Sequence, residues 1–456
     1  MLTKSKLFRF FNKNCKKILV LGVGGVSMSS IALLLQKNGC EVVGYDSAHG
    51  QFTKIVEEAG IHIAYTEEEV DTDGVEIAVY TSAIKEDSTL ITGLRAKGIE
   101  CIVRAEFLGE LMKAYKSRIG VAGTHGKSTV SGMISSVFIE ADRDPTVMIG
   151  AGLQGITGGF RAGANRDYVF EACEYRDSFL SFSPTVSVIL NVELDHTDYF
   201  KSLEQMKESF IKFMNISADN GGVAVVNFDN KNARDCAEKC KGEVISFSTL
   251  DKGCDFFADN ITYSKGKPAF DVYRKGEYLT HITLSVYGEF QVSNALAAIA
   301  SAHFSGVDLD ATVKALSEYT GVTRRFQLRG YYNGAEIRDD YAHHPDEIRA
   351  TLNAVENAGY RKVYVVYQPH TYTRTHDLFE GFKHAFDKCD EVVFADIYAA
   401  REKNLFGISS RDLADAIPHG KYLGDFNAIS EYYREKLCEE DLLIIMGAGD
   451  IINLEI

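Results

Sequence analysis

Gly123-Thr124-His125-Gly126-Lys127-Ser128 is reached from the apolar run Arg118-Ile119-Gly120-Val121-Ala122 and followed by a helical stretch from Thr129 to Glu140. A strand that ends in glycine and passes into a helix leaves backbone N–H groups free at the helix start, where the peptide dipoles favour an anion. The strict phosphate-loop pattern has a glycine five places before Gly126, and that place holds Val121, so the loop is a shortened relative. It keeps the working parts. Amides around Gly123 and Gly126 can cradle phosphate oxygens, Lys127 supplies a point charge, and the Ser128 hydroxyl can ligate Mg²⁺ at the helix start. A solvent-exposed turn is the alternative, and the strand–loop–helix setting favours a nucleoside triphosphate over it.

Mg²⁺ on a triphosphate takes oxygen ligands, so carboxylates are sought at neighbouring strand ends. Two runs qualify: Glu171-Ala172-Cys173-Glu174-Tyr175 after a strand at Tyr168–Ala172, and Asn191-Val192-Glu193-Leu194-Asp195-His196 after one at Val186–Leu190. Taken singly, Glu174 or His196 is more often a loop residue bonding locally than a metal ligand. Their shared position at the ends of parallel-type strands, beside the phosphate strand, reverses that preference.

Upstream, Ile18-Leu19-Val20-Leu21 is a buried-strand pattern followed at once by Gly22-Val23-Gly24-Gly25-Val26-Ser27-Met28-Ser29, a helix, and a second strand Glu41–Tyr45 ending at Asp46. This βαβ unit is Rossmann-like: its glycine turn lets backbone approach an anionic ligand, and Asp46 lies where a carboxylate bonds a ribose hydroxyl. The third glycine position holds Ser27, so a purely structural tight turn stands as the alternative. Downstream, strands are expected at Lys362–Tyr367, Glu391–Phe394 and Leu442–Met446. Two polar runs accompany them, Asp339-Asp340-Tyr341-Ala342-His343-His344-Pro345 and Gln368-Pro369-His370-Thr371-Tyr372-Thr373-Arg374. The paired histidines of the first could merely cap a helix opening at Pro345.

At ~100–200 residues per domain, 456 residues leave room for three domains. Residues 1–116 read as the Rossmann-like one, 117–324 as a central phosphate-loop α/β domain with a mainly parallel sheet and a β-rich insertion at 255–286, and 325–456 as a third, Rossmann-like α/β domain. A formal net charge of −15 argues against nucleic acid or an anionic membrane surface as a partner. The nine scattered cysteines read as reduced thiols, and no apolar run approaches the ~20 residues of a membrane helix, so the expected location is cytoplasmic. Cys236 and Cys240 lack a second pair that would make a zinc site.

Taken together, the runs Gly22–Ser29, Gly123–Ser128, Glu171–Glu174, Asn191–His196, Arg325-Phe326 and Asp340–Pro345, in this order over nearly the whole chain, resemble the Mur ligase family. Gln368–Arg374 and Asp396–Glu402 resemble its alanine-adding members in particular. The resemblance implies an N-terminal domain holding a UDP-sugar, a central ATPase domain, and a C-terminal domain that closes over ATP and admits the amino acid. It implies ATP-dependent ligation of L-alanine to the lactyl carboxylate of UDP-N-acetylmuramate through an acyl phosphate, as a step of peptidoglycan precursor synthesis.

By matching position, Gly22, Gly24, Gly25, Ser27, Met28, Asp46, Ser82, His125, Asn191 and His370 would contact substrate. Gly123, Thr124, Gly126, Lys127, Ser128, Thr129, Gln291, Asn294, Arg325 and Asp340 would contact ATP. Ser128, Glu174 and His196 would hold Mg²⁺, and Lys127, Glu174, His196, Arg325, His344 and Arg374 would serve catalysis, His344 as the guessed base. Cys173 and Thr371 stand where many relatives carry charge, and Gln291 where they carry histidine or asparagine. Two rivals share parts of the pattern: a sister ligase that attaches a preformed peptide, disfavoured by Gln368–Arg374, and a nicotinamide-dependent oxidoreductase, which leaves Gly123–Ser128 unexplained.

Overall fold

A computed structural model describes residues 17–456 apart from Ser82, Gln154, Gly155, Asn165, Thr197, Asp198, Asn357 and Arg401. The chain packs into two compact units, one of Met1–Asp259, Val272–Thr280 and Ser293–Leu316, the other of Asn260–Asp271, His281–Val292 and Ser317–Ile456.

The first unit contains two sheets. Strands β1 (Lys17–Leu21), β2 (Glu41–Tyr45), β3 (His62–Ala64), β4 (Val75–Tyr80) and β5 (Glu100–Val103) form an all-parallel sheet in the order β3-β2-β1-β4-β5. Every residue of β1 is buried, as expected of a strand covered on both faces. The order reverses beside β1, so the glycine turn sits at the switch point where open α/β sheets bind ligands.

The second sheet is built from β6 (Ser117–Ala122), β7 (Thr146–Met148), β8 (Phe160–Arg161), β9 (Asp167–Glu171), β10 (Val186–Ile189), β11 (Val223–Asn227), β12 (Glu243–Ser248) and β13 (Phe256–Ser264). Its order is β13-β12-β11-β10-β6-β9-β7-β8, with β8 the antiparallel member. β6 lies between β9 and β10 in parallel register, Val121 opposite Glu171 and Ala122 opposite Ile189. Both acidic runs therefore emerge on either side of the phosphate loop. Phe179, Phe210 and Phe213 cluster in the core, Phe213 against Gly120 of β6, with the Phe179 and Phe213 rings near-parallel at 4.6 Å and Phe210 edge-on to Phe179.

The expected insertion is a meander of β13, β14 (Lys267–Arg274) and β15 (Glu277–Thr283). In the second unit, β16 (Gln327–Tyr332), β17 (Ala335–Asp340), β18 (Lys362–Tyr367), β19 (Glu391–Ala395), β20 (Gly420–Gly424) and β21 (Asp441–Met446) run β16-β17-β21-β18-β19-β20. Only β16 is antiparallel, and its register slips between Leu328 and Gly330, a bulge centred on Arg329. Asp340 and Tyr367 both pair with Met446, so the loops after β17, β18 and β21 leave from one edge.

One helix begins earlier than the sequence suggests: the one expected from Thr129 starts at Lys127. The helix Arg104–Leu111 tightens into a 3₁₀ turn at Met112–Ala114. Helix Pro345–Val355 opens where expected, with His344 as its cap. Among the described residues no helix is long and apolar enough to cross a membrane, and the eight described cysteines are all free.

Candidate active site

The phosphate loop holds its shape through glycine and through the loop after β10. Gly123 and Gly126 have φ of 148° and 88°, the left-handed half of backbone space that side chains disfavour. A Cβ on Gly126 would lie 3.1 Å from Leu190 Cδ1 and 3.3 Å from Asn294 Oδ1. Asn191 spans the loop: its Oδ1 accepts from His125 N at 2.8 Å and its Nδ2 donates to the His125 carbonyl at 3.1 Å. Glu193 N donates to Thr124 Oγ1 at 3.0 Å. The amide of Asn191 and the hydroxyl of Thr124 are thus spent on the fold of the loop.

Lys127, first residue of its helix, folds its ammonium back onto the loop. It donates to the Gly123 carbonyl, to the Thr124 carbonyl at 3.3 Å and to both Glu174 oxygens at 3.2 Å. Glu174 is fully buried. His196, itself left-handed at φ 51°, brings Nε2 to 3.6 Å from Glu174 Oε1. Burial alone would raise the Glu174 carboxyl, but the His196 ring and the Lys127 charge outweigh it and hold the group below the usual carboxylate range. The same contact with Glu174 raises His196 against the opposing effect of its own burial.

Asp195 was not singled out from the sequence as a ligand. It completes a group with Glu174 and His196 whose ligand atoms all lie within 4.8 Å of one another. The two carboxylates of this group supply the hard oxygen donors that Mg²⁺ prefers, so the donor set fits that ion.

At the glycine turn, Gly22 has φ 80°, and a Cβ there would meet Thr81 Cγ2 at 2.6 Å. Asp46 is turned inward. Its Oδ2 accepts from Gly24 N at 2.7 Å and its Oδ1 from Ala48 N at 3.1 Å, so the carboxylate braces the turn. The Met28 side chain lies in the core. Gly25 N closes the turn on the Gly22 carbonyl at 3.1 Å. Ser82 falls outside the described residues.

In the second unit, Arg324 and Phe326 take φ of 59° and 50° on either side of Arg325. The Arg325 guanidinium lies over the Tyr341 ring at 5.5 Å and 3.8 Å from Glu347 Oε1. Asp340 accepts from Phe326 N at 2.8 Å and from Ala342 N at 2.7 Å, and burial pushes its carboxyl up to about 6 despite Arg325. Gln291 and Asn294, each in its own unit, are buried.

The loop histidines differ in what their rings can do. His344 Nδ1 accepts from Asp346 N at 3.2 Å, which puts the ring proton of the neutral form on Nε2. His370 Nδ1 accepts from Arg374 at 3.2 Å, with the same consequence. His343 Nδ1 instead faces the Tyr341 carbonyl at 3.0 Å, so it carries the proton and leaves Nε2 with a lone pair. Burial keeps His343 and His370 below the ordinary histidine range. Thr371 caps the helix Tyr372–Asp377 at φ 67°, a strained value for a β-branched residue.

The structure adds supports that single-sequence reading missed. Glu347 Oε2 accepts from His343 N at 3.0 Å and His344 N at 3.3 Å. Gln368 clasps the loop after β21, donating to Asp450 Oδ1 at 2.7 Å and accepting from Ile451 N at 3.0 Å. Arg324 donates to the Gly447 and Gly449 carbonyls of the same loop. Gly447-Ala448-Gly449 directly after an apolar strand was the signal available for this loop.

Known proteins align with the chain end to end. Residues 17–116 match the Mur ligase family catalytic domain, 121–302 the Mur ligase middle domain, and 324–449 the Mur ligase glutamate ligase domain. A UDP-N-acetylmuramate–L-alanine ligase of Clostridium novyi is 40% identical over 451 residues, covering 98% of each chain. One of Caldicellulosiruptor saccharolyticus is 41% identical over 440 residues, covering 95% of this chain and 96% of its own. The crystal structure of a UDP-N-acetylmuramate–alanine ligase from Thermotoga maritima superposes with a TM-score of 0.80 at 25% identity, covering 96% of both chains. With its phosphate loop and the two acidic runs beside it in place, the chain belongs to the Mur ligase family.

Proposed function

We infer that the protein is an ATP-dependent, ADP-forming amide ligase that joins L-alanine to the lactyl carboxylate of UDP-N-acetylmuramate in peptidoglycan precursor synthesis. The observation that carries the chemistry is the Lys127–Glu174–His196 cluster at the mouth of the phosphate loop. The near-full-length likeness to alanine ligases carries the substrates.

A carboxylate is a poor acyl donor because oxide is a poor leaving group. A lactyl carboxylate oxygen therefore attacks the γ-phosphorus of ATP, ADP departs, and an acyl phosphate forms. The alanine nitrogen then attacks the carbonyl carbon, and inorganic phosphate leaves with the bridging oxygen. Phosphoryl transfer asks the protein for in-line positioning and charge neutralisation. Backbone amides of Gly123–Ser128 cradle the phosphates, and Lys127 exchanges its internal carbonyl and carboxylate partners for phosphate oxygens. Arg325 and Arg374 supply the cationic charge of the second unit. Ser128, Glu174 and His196, joined by Asp195, would hold Mg²⁺, whose role when bound is to neutralise triphosphate charge.

The alanine ammonium must lose a proton before it can attack. His344 in the arrangement seen is a helix cap with its proton on Nε2, so we assign proton acceptance to His343, whose Nε2 keeps its lone pair. Alignment to the three family domains supports boundaries of 1–116, 117–324 and 325–456. Free cysteines and an ATP requirement fit a cytoplasmic location. The test is phosphate release from purified protein with Mg²⁺, ATP and UDP-N-acetylmuramate, adding L-alanine, glycine, L-serine or a preformed peptide in turn. Release stimulated by L-alanine is expected; stimulation by the peptide and not by L-alanine would refute the assignment.

A further inference from the structure

Arg374 supplies cationic charge at the edge where the loops after β17, β18 and β21 leave, yet little in its own segment aims it. The helix that carries it, Tyr372–Asp377, has six residues. A helix that short does not hold itself in water, because its nucleus fixes several residues for one hydrogen bond. The guanidinium is tied to the neutral His370 ring at 3.2 Å.

The turn into this helix is strained. Thr371 has φ 67° and ψ 147°, close to a region that only glycine enters freely, and such a residue persists where its surroundings over-determine it. Those surroundings belong to the loop after β19. β18 and β19 run in parallel register, Tyr367 opposite Phe394, so their loops leave side by side. Thr371 N donates to the Tyr398 carbonyl and Tyr398 N to the Pro369 carbonyl, each at 2.9 Å. The His370 ring lies against the Tyr398 ring at 5.5 Å.

Beyond Tyr398 the chain turns through Ala400, left-handed at φ 51°, and Glu402 comes back onto the start of the helix. Its Oε2 accepts from Thr373 N at 2.9 Å. The Thr373 amide outweighs burial and holds the Glu402 carboxyl below the usual carboxylate range, and the Tyr372 amide and Thr371 hydroxyl act in the same sense. From within the turn, Thr371 Oγ1 accepts from Arg374 N at 3.4 Å. From outside it, Glu402 answers the preceding amide. Because this carboxylate is engaged by an amide, it fixes the helix while the Arg374 guanidinium keeps the His370 ring as its partner.

We propose that Glu402 is a positioning residue for the ligation: by holding the first turn of the helix Tyr372–Asp377 it sets where Arg374 points. The proposal rests on the reaction named under Proposed function and on Arg374 acting in it.

A double-mutant cycle tests it, read as kcat for L-alanine-dependent phosphate release by the full-length protein at saturating ATP and UDP-N-acetylmuramate. Glu402→Ala is expected to lower kcat about 10-fold in the otherwise wild-type protein, the scale of a loosened reacting geometry. In an Arg374→Ala background the same change should cost less than about 2-fold, since the side chain it aims is gone. Equal losses in the two backgrounds, the result of independent or merely stabilising roles, overturn the proposal. Glu402→Gln keeps an accepting oxygen at the same reach and is expected to stay within about 2-fold of wild type. A loss as large as that of alanine would assign the effect to charge and would also overturn the proposal. Should the alanine variant melt early, Glu402→Asp takes its place in the cycle: the charge is kept, the acceptor is withdrawn by one methylene, and undiminished kcat overturns the proposal. Wild-type protein that releases no phosphate with L-alanine contradicts the proposed function itself, whereas wild-type turnover unaltered in the variants removes only the role of Glu402.

Discussion

The phosphate loop of the first unit and the histidine-rich loops of the second solve opposite electrostatic problems. Around Lys127 every charge is answered from within, by two carbonyls, Glu174 and His196, and Glu174 has no solvent exposure at all. Around Arg325 and Arg374 the answers are partial: Glu347 stands 3.8 Å from Arg325, and the hydrogen-bond partner of the Arg374 guanidinium is the neutral ring of His370. The first site is a closed ion cluster that a triphosphate must reorganise. The second keeps cationic charge available for an incoming anion. Closed clusters couple function to stability, and open ones uncouple them.

Lys127→Ala tests the coupling hardest. Phosphate release should fall at least about 1,000-fold, the scale of losing a dedicated charge on a transferring phosphoryl group. It should also destabilise the protein by about 3 kcal/mol, because the buried Glu174 is left with His196 alone to offset its charge. Melting curves unchanged from wild type would mean that the cluster is not structural. Arg374→Ala should cost turnover about 100-fold while shifting the melting midpoint little, and a large loss of stability there would erase the contrast between the two sites.

Within the second site, His343→Asn should lower turnover by about 100-fold or more and remove an ionisation from the acidic limb of the pH–rate profile. His344→Asn can still cap the helix and should cost less than about 1 kcal/mol of stability with most turnover kept. Reversal of that order would return the base to His344.

Asp340 gives the smallest effect. Its folded value of about 6 lies above the ordinary 3.8. The stability it contributes is therefore complete below that ordinary value and is lost as pH rises through about 6. Relative to Asp340→Asn, wild type should lose stability between about pH 4 and pH 6 in paired thermal melts, and a flat difference would show the carboxyl to be unperturbed.

The sequence reveals the first site better than the second for a physical reason. Strand β6, the loop and its helix are contiguous, and β9 and β10 announce themselves as apolar runs followed by acids. Lys127, Glu174 and His196 could be placed by local pattern alone. The second site is assembled from contacts distant in sequence. Gln368 meets Asp450 and Arg324 meets Gly447 with no local periodicity to mark them. Side-chain direction is a further thing the sequence does not show: Asp46 and Asn191, read as ligand contacts, also turn inward, and their atoms brace the backbone of the turns they belong to. Rotamer direction, not residue type, decides that, and direction follows from packing.

The bulge at Arg329 has a consequence for how copies of this chain meet in a crowded solution. β16 borders its sheet and exposes Leu328 and Tyr331, an adhesive combination on a free edge. A straight edge of that kind templates pairing with an edge from another molecule. The slipped register between Leu328 and Gly330 interrupts the row of free backbone donors and acceptors, and Arg329 adds a charge at the break. Colloidal tolerance is thereby written into a single irregular residue, at the border of the very sheet that carries Asp340.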